Sequence, residues 1–380
     1  LVPAENAEEV AVVESLEVCP VSHLNEAVAH INGLRPIDAV QSDTDRYFEQ
    51  VGALGDVPDF SDVRGQEAAK RAAEVAAAGG HNLLLVGAPG GGKTMIAKRL
   101  PHILPRLTLD EALEATKLHS VAGLTSTDTP LITRRPFRSP HHTISEAGLI
   151  GGGSNPRPGE VSLAHHGVLF LDELPEFNRR TLEVLRQPLE DGVVTIARAA
   201  MTVRFPAELM LVAAMNPCPC GFLGHPKKRC VDSNRQIEAY RSKISGPLLD
   251  RIDIQLEVPP VDFEELHHHP PGEPSASIRA RVQAARDRQA ARFEGPGSRT
   301  YCNARMTEPE VRANCALSAN GERLLRAAME SLTLSARAYM RILKVARTIA
   351  DLDEADAIAE THLSEAIQYR HLDRPLLETI

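Results

Sequence analysis

The stretch "HNLLLVGAPGGGKTMIAKRL" (residues 81–100) decides the fold. Leu83 to Val86 run without a polar interruption, the pattern of a strand buried on both faces of a parallel sheet. The run leads into Gly87, Ala88, Pro89, Gly90, Gly91, Gly92, Lys93 and Thr94, which fits G-x-x-x-x-G-K-T, and Met95 begins a helical "MIAKRL". Glycines allow successive backbone N–H groups to turn inward around a polyphosphate, and the helix N-terminus adds partial positive charge. Lys93 is expected to hold the β- and γ-phosphates of ATP and Thr94 to offer its hydroxyl to Mg2+. Residues 87–95 are therefore the expected nucleotide-binding set.

Hydrolysis needs a carboxylate on a neighbouring strand, and "GVLFLDE" (167–173) ends an apolar run in Asp172 and Glu173. Two adjacent acids at the end of a buried strand are costly unless they hold a cation or do chemistry. Asp172 is expected to hold Mg2+, and Glu173 to orient and deprotonate the attacking water. A third run, "LMLVAAMNP" (209–217), ends in Asn216, whose polar side chain is expected to sense the γ-phosphate or position the water. A fourth run is "RIDIQLEV" (251–258). Long crossovers between such runs imply an α/β fold with a parallel sheet covered by helices. After "HHHPPGEP" (267–274) the chain reads as helical through "SIRARVQAARDRQAARF", "NGERLLRAAMESL", "SARAYMRILKVARTIADL" and "THLSEAIQYR", an all-helical second domain. Upstream, "VAVVESLEVCPV" (10–21) reads as a strand and "HLNEAVAHING" (23–33) as a helix ended by Gly33.

At 380 residues, with 43% hydrophobic and 24% charged content, the chain has room for two or more soluble domains. No apolar run approaches the roughly 20 residues of a bilayer span, and no export signal is visible, so a cytoplasmic location is expected. The chain begins at Leu1 rather than Met, which suggests a missing start. Six cysteines are too sparse for a disulfide scaffold. A net charge of −9 excludes a protein coated in positive charge but not a local basic patch.

Together these motifs resemble the AAA+ ATPases, and within them the magnesium-chelatase-like ComM/YifB family, related to the minichromosome maintenance helicases. The resemblance rests on "GAPGGGKTMIAKRLPHILP", "RPFRSPHHTISEAGLIGGG", "PRPGEVSLAHHGVLFLDELPEF", "LEVLRQPLEDGVVTIARA", "AAMNPCPCG", "RSKISGPLLDRIDIQLEVP" and "SARAYMRILKVARTIADL", across roughly residues 60 to 375. It implies a remnant of a Lon-protease-like domain at 1–40, a linker at 41–59 and an AAA+ core at 60–262. A linker with a basic helix at 263–300 and a helical lid at 301–380 follow. It also implies a homo-oligomeric ring, expected to be a hexamer, that moves branched or single-stranded DNA during natural transformation. The alternative is a protein remodeller like the motor subunit of magnesium chelatase.

The same resemblance assigns Arg251, in "LLDRIDI", as an arginine finger acting on a neighbouring subunit, and Arg337 as the second sensor, with Arg341 as its competitor. A surface pair of Arg251 with Asp250 or Asp253 is the plainer reading. In "DGVVTIARAAMTVRFPAEL" (191–209), a β-hairpin is expected to carry Arg198 to DNA, with Arg157 as a second candidate. Cys218, Cys220 and Cys230 could hold Zn2+ if His225 or Asp232 supplied a fourth ligand; relatives tend to carry a cysteine where Asp232 stands. His141 and His142 are expected to point to opposite sides of an extended segment and to make a poor chelate. The arginines of 279–292 are expected to form a solvated helix face, with a DNA-facing patch as the lesser reading.

Overall fold

The four apolar runs all become strands of one parallel sheet in the computed structural model, which describes residues 1–13, 16–40, 47–48, 58–125, 131–153, 156–197, 201–260, 270–295 and 300–370. The strands are β1 (Leu83–Gly87), β2 (Phe137–Arg138), β3 (Val168–Leu171), β4 (Met210–Met215) and β5 (Ile254–Val258), in the order β5-β1-β4-β3-β2. Every pairing is parallel, with Val212 opposite Leu83 and Val168, on the other edge of β4, opposite Met210. All residues of β1, β3 and β4 are buried, which is why they read as unbroken apolar runs. β2 was not expected. It is two residues long and half-buried, too short to leave a periodic signal, and it is fixed by tertiary contact: Phe137 stacks on Phe170 of β3.

Because β1, β4 and β3 are adjacent and parallel, their C-terminal ends lie side by side. That puts the phosphate loop, Asn216 and Asp172 at one edge of the sheet, where open α/β folds bind ligands. Gly87 shows how tightly this edge is packed, since a Cβ there would fall 2.2 Å from the Val258 carbonyl oxygen of β5.

Helices α1 (Glu67–Gly79) and α2 (Lys93–Arg99) flank the sheet. The alanines of α1 let it sit close to its neighbours, and it ends at Gly80 in the left-handed conformation, φ 70°. The C-terminal helices are α3 (Ser275–Phe293), α4 (Glu308–Asn314), α5 (Ala319–Ser331), α6 (Ala336–Leu352) and α7 (Glu360–Gln368). The apolar stripe of α6, Ile342, Leu343, Val345, Ala346, Ile349 and Ala350, joins the same core as Leu83, Leu85 and Phe170. Ser335 caps α6 by accepting from the Ala338 N–H.

The arginine-rich helix α3 departs in part from the expectation of a solvated face. Arg281 stays exposed while bonding Glu74 (2.6 Å) and Arg288 bonds the exposed Asp356 (2.8 Å), but Arg292 bonds the buried Asp351 (2.9 Å) and Arg286 donates to the Ala77 carbonyl (3.3 Å). α3 thus packs on α1 and α6 as an integral helix. The chain forms two compact units, Leu1–Val57 with Arg106–Pro136, and Pro58–Pro105 with Phe137–Ile380. By contacts, the segment 106–136 groups with the N-terminal residues and the C-terminal helices group with the sheet.

In the first unit the described residues of 10–21 do not form the single strand expected. Ala7–Ala11 is helical, with Ala7 and Ala11 buried four residues apart on one face, while Pro20–Val21 pairs with Val2–Pro3 and Val18 makes an isolated antiparallel bridge to Val40. The glutamates and alanines of this stretch favour helix over its valines. The helix expected at 23–33 is present as Leu24–Ile31, and Gly33 follows it at φ 69°. No helix among the described residues is long and apolar enough to cross a membrane.

Candidate active site

Lys93 is buried, and its ammonium donates to the carbonyls of Gly87 (2.6 Å) and Ala88 (2.9 Å) and to Asn216 Oδ1 (3.4 Å). Burial pushes this ammonium below its ordinary pKa, and the Asp172 charge opposes that shift. The cation thus rests on neutral carbonyls, a weak resting place for a charge that an anion would satisfy better. Gly90 and Gly92 take φ 81° and 83° with open space where a Cβ would project, so backbone can line a ligand there. The donor set and the open cradle fit a nucleotide polyphosphate.

Thr94 Oγ1 donates to Asp172 Oδ2 at 2.7 Å, which brings a hydroxyl and a carboxylate together as two oxygen ligands suited to Mg2+. Asp172 Oδ1 also accepts the Glu173 N–H at 2.9 Å. Glu173 itself sits at φ 53°, a left-handed conformation that costs a non-glycine residue about 1–2 kcal/mol. The turn points the Asp172 and Glu173 side chains differently: Asp172 faces Thr94, whereas Glu173 remains exposed. One acid is placed for a cation and the other for solvent water.

Several residues at this site carry no motif of their own. His142 Nδ1 lies 3.5 Å from Glu173 Oε2, and its ring packs on that of His141 with centroids 4.0 Å apart. The two histidines therefore do not point apart as expected; the strand ends at Arg138, and the following turn brings both rings to one side. Arg138 forks onto Glu160 at 2.6 and 2.7 Å and anchors the start of that segment. Gln66, at φ 56°, donates to the carbonyls of Gly91 (3.3 Å) and Pro259 (2.7 Å) and fastens the phosphate loop to the end of β5. "RPFRSPHH" was the signal for the first two; Gln66 had none.

Arg251 and Arg337 lie elsewhere in the same unit, on a cavity of about 850 Å3 that Glu190, Arg341 and Lys344 also line. Arg251 is 9% exposed, donates to the Pro247 carbonyl at 2.7 Å, and is ion-paired with Glu190 rather than with Asp250 or Asp253. The Arg337 side chain is 64% exposed and stands 3.9 Å from Asp250. Its competitor Arg341 is committed instead to Asp253, a buried carboxylate that also accepts the Asn82 N–H at 2.9 Å. Burial alone would raise the Asp253 pKa, but Arg341 and His81 outweigh it and hold the group well below the usual carboxylate range. Asn82 further donates to the Arg251 carbonyl at 2.7 Å and so ties the start of β1 to the backbone of that arginine.

A depressed carboxylate pKa contributes stability that is present above about pH 4, its unfolded value, and is lost as pH falls toward the folded one. Arg341→Ala, which removes the partner of a buried charge, is expected to cost on the order of 3 kcal/mol near pH 7. The cost should shrink below about pH 4, where the unfolded chain is protonated. Urea denaturation at pH 7 and pH 3 checks it; an equal loss at both values would reject the charge account.

The hairpin expected at 191–209 is present as Val193–Ala197 paired antiparallel with Thr202–Pro206. Arg198 lies outside the described residues. Arg204, on the second hairpin strand, and Arg157 are exposed. Cys218, Cys220, Cys230 and Asp232 converge, all ligand atoms within 4.8 Å of one another. His225 is not in that group; its Nδ1 accepts the N–H groups of Lys227 and Lys228.

Residues 59–266 match the family model of the magnesium chelatase subunit ChlI, and residues 272–370 match that of the ChlI C-terminal region. The chain belongs to the magnesium-chelatase-like AAA+ ATPases of the ComM/YifB family. It is 43% identical to the YifB protein of Escherichia coli over 384 residues, an alignment covering 99% of this chain and 72% of that one. It is 41% identical to the competence protein ComM of Haemophilus influenzae over 382 residues, again 99% and 72%. A more distant likeness, 25% over 173 residues, reaches an MCM-type protein of Methanocaldococcus jannaschii and covers 46% of this chain and 19% of that one. As an AAA+ ATPase family it implies ATP and Mg2+ as ligands, in accord with the Lys93 and Thr94–Asp172 geometry.

Proposed function

We propose that this ATPase is a ring motor, most simply a hexamer, that couples ATP hydrolysis to movement along branched or single-stranded DNA, working in the cytoplasm during DNA uptake and recombination. The observation that carries the hydrolytic part is the hydrogen bond from Thr94 to Asp172 beside a buried, carbonyl-held Lys93. Mg2+, held by Thr94 and Asp172, would neutralise charge developing on the transferred phosphoryl group. Lys93 and the 87–95 backbone bind the phosphates, Glu173 orients and deprotonates the attacking water, and Asn216 positions it.

Two arginines extend the reading to a ring. Arg251 and Arg337 share a cavity and do not hydrogen-bond their own phosphate loop; the bonds of Arg251 go to Glu190 and Pro247. As a finger and a sensor they would complete a neighbouring copy's site, which a closed head-to-tail ring supplies at every interface. DNA is supported by the likeness to a competence protein and to an MCM-type protein, and by a hairpin with exposed Arg204 and with Arg198 beyond its first strand. One arginine per subunit gives a ring several phosphate contacts without a basic protein overall.

The test is strand displacement on forked and four-way DNA with ATP. Wild type is expected to displace strands and to hydrolyse ATP faster when DNA is present, and Arg198→Ala to keep basal hydrolysis yet lose displacement. No displacement and no stimulation by any DNA would favour instead a protein remodeller of the chelatase-motor kind.

A further inference from the structure

The loop that follows Asn216 gathers three thiols and one carboxylate from fifteen residues of chain. Cys218 Sγ lies 3.4 Å from Cys220 Sγ and 3.6 Å from Cys230 Sγ, and the Cys220 to Cys230 distance is also 3.6 Å. Asp232 Oδ2 stands 3.8 Å from Cys230 Sγ. These separations exceed the roughly 2.05 Å of a disulfide, and with three thiols in a near-equilateral triangle no single pair is singled out for one.

We infer that Cys218, Cys220, Cys230 and Asp232 form a structural zinc site. A tetrahedral Zn2+ with Zn–S near 2.3 Å and Zn–O near 2.0 Å sets its sulfurs about 3.8 Å apart and its carboxylate oxygen about 3.5 Å from each. The observed figures lie close to both. A cluster of several irons and sulfides needs more room than three sulfurs in mutual contact leave, and hard cations such as Mg2+ prefer oxygen donors. The choice is thereby narrowed to a single soft, tetrahedral ion.

The surroundings fit a metal better than packing. Cys218 is buried, but Cys220, Cys230 and Asp232 are only partly so, which is not where cysteines serve as small apolar fillers. Leu223 N–H donates to Cys218 Sγ at 3.4 Å and Cys220 N–H to Asp232 Oδ2 at 2.8 Å, so outer hydrogen bonds already orient two of the four ligands. Three thiolates and a carboxylate around Zn2+ leave excess negative charge, and the same stretch of chain carries three cations, Lys227, Lys228 and Arg229.

The site also has something to hold in place. A Cβ at Gly221 would fall 2.7 Å from Pro89, so the loop lies directly on the phosphate loop. Arg241 donates to the Pro217 carbonyl at 3.1 Å, between Asn216 and the first cysteine. Zinc would therefore brace Asn216 and the phosphate loop from behind without touching the reaction. That bracing role rests on the ATPase reading above; the binding of metal does not.

The experiment uses the whole chain, purified without chelator, with metal content measured by mass spectrometry. About one zinc ion per chain is expected, falling to background in Cys230→Ser, while Asp232→Cys keeps its metal. Because Cys230→Ser can fail to fold, wild type is also stripped of zinc and titrated with Co2+ alone. A stoichiometric visible spectrum of tetrahedral thiolate cobalt, shifted in Asp232→Cys, is the expected result. Folded wild type that carries no zinc and gives no such spectrum overturns the proposal. Stripping should lower ATP hydrolysis and added Zn2+ restore it; stoichiometric zinc without any ATPase activity would sink the motor reading and leave the metal site standing.

Discussion

Glu173→Gln is expected to lower steady-state ATP hydrolysis by about two to four orders of magnitude while nucleotide affinity changes by no more than a few-fold. The expectation follows from the division of labour between the two acids. Asp172 accepts from Thr94 and from the Glu173 N–H and is proposed to hold the cation, whereas the Glu173 side chain is 60% exposed beside His142. Gln keeps the size of the side chain and an amide able to hydrogen-bond but cannot take a proton. In the proposed site, nucleotide is held by Lys93 and the loop backbone, which the change leaves alone. Asp172→Asn should behave differently, because it weakens the cation site itself and raises the Mg2+ concentration needed for activity. Steady-state hydrolysis and titration with a fluorescent ATP analogue separate the two. If Glu173→Gln kept more than about a tenth of wild-type turnover, Glu173 would not be the base.

What was legible in the sequence divides along physical lines. β1, β3 and β4 announced themselves because strands buried on both faces must be continuously apolar, and the acids and amide at their ends stood out as polar interruptions, whereas β5, with Gln255 and the exposed Glu257, was a weaker apolar run. The cysteine loop was partly legible: the spacing named three cysteines with His225 or Asp232 as a fourth ligand, and only the fold brings Asp232 rather than His225 to the thiols. β2, Gln66 and the Arg251–Glu190 pair were not legible. Each is a long-range contact made by residues whose neighbours in sequence carry no period. The α3 arginines were half legible: Arg281 is exposed as its sequence suggests, whereas the pairing of Arg292 with buried Asp351 could not be seen because the acid lies far off in sequence.

Arg251→Ala is expected to reduce hydrolysis by about three orders of magnitude or more, the scale of an arginine finger, with the chain still folded. Stability should change little, since the partner Glu190 has a side chain 58% exposed and can return to water. Loss of activity alone would not show that the finger acts on a neighbour, because a residue serving its own site gives the same result. Mixing decides it. A chain with Arg251→Ala retains Glu173, and a chain with Glu173→Gln retains Arg251; in a ring of head-to-tail contacts mixed one to one, about a quarter of interfaces receive both intact groups. Hydrolysis should therefore rise well above the value of either variant alone and follow the product of the two chain fractions. If Arg251 served its own subunit, every site in the mixture would carry one defect and no activity would return. The same mixture made with Arg341→Ala in place of Arg251→Ala should not complement in this way. Its arginine is spent on Asp253 inside one subunit, and its defect is one of stability rather than of a shared site.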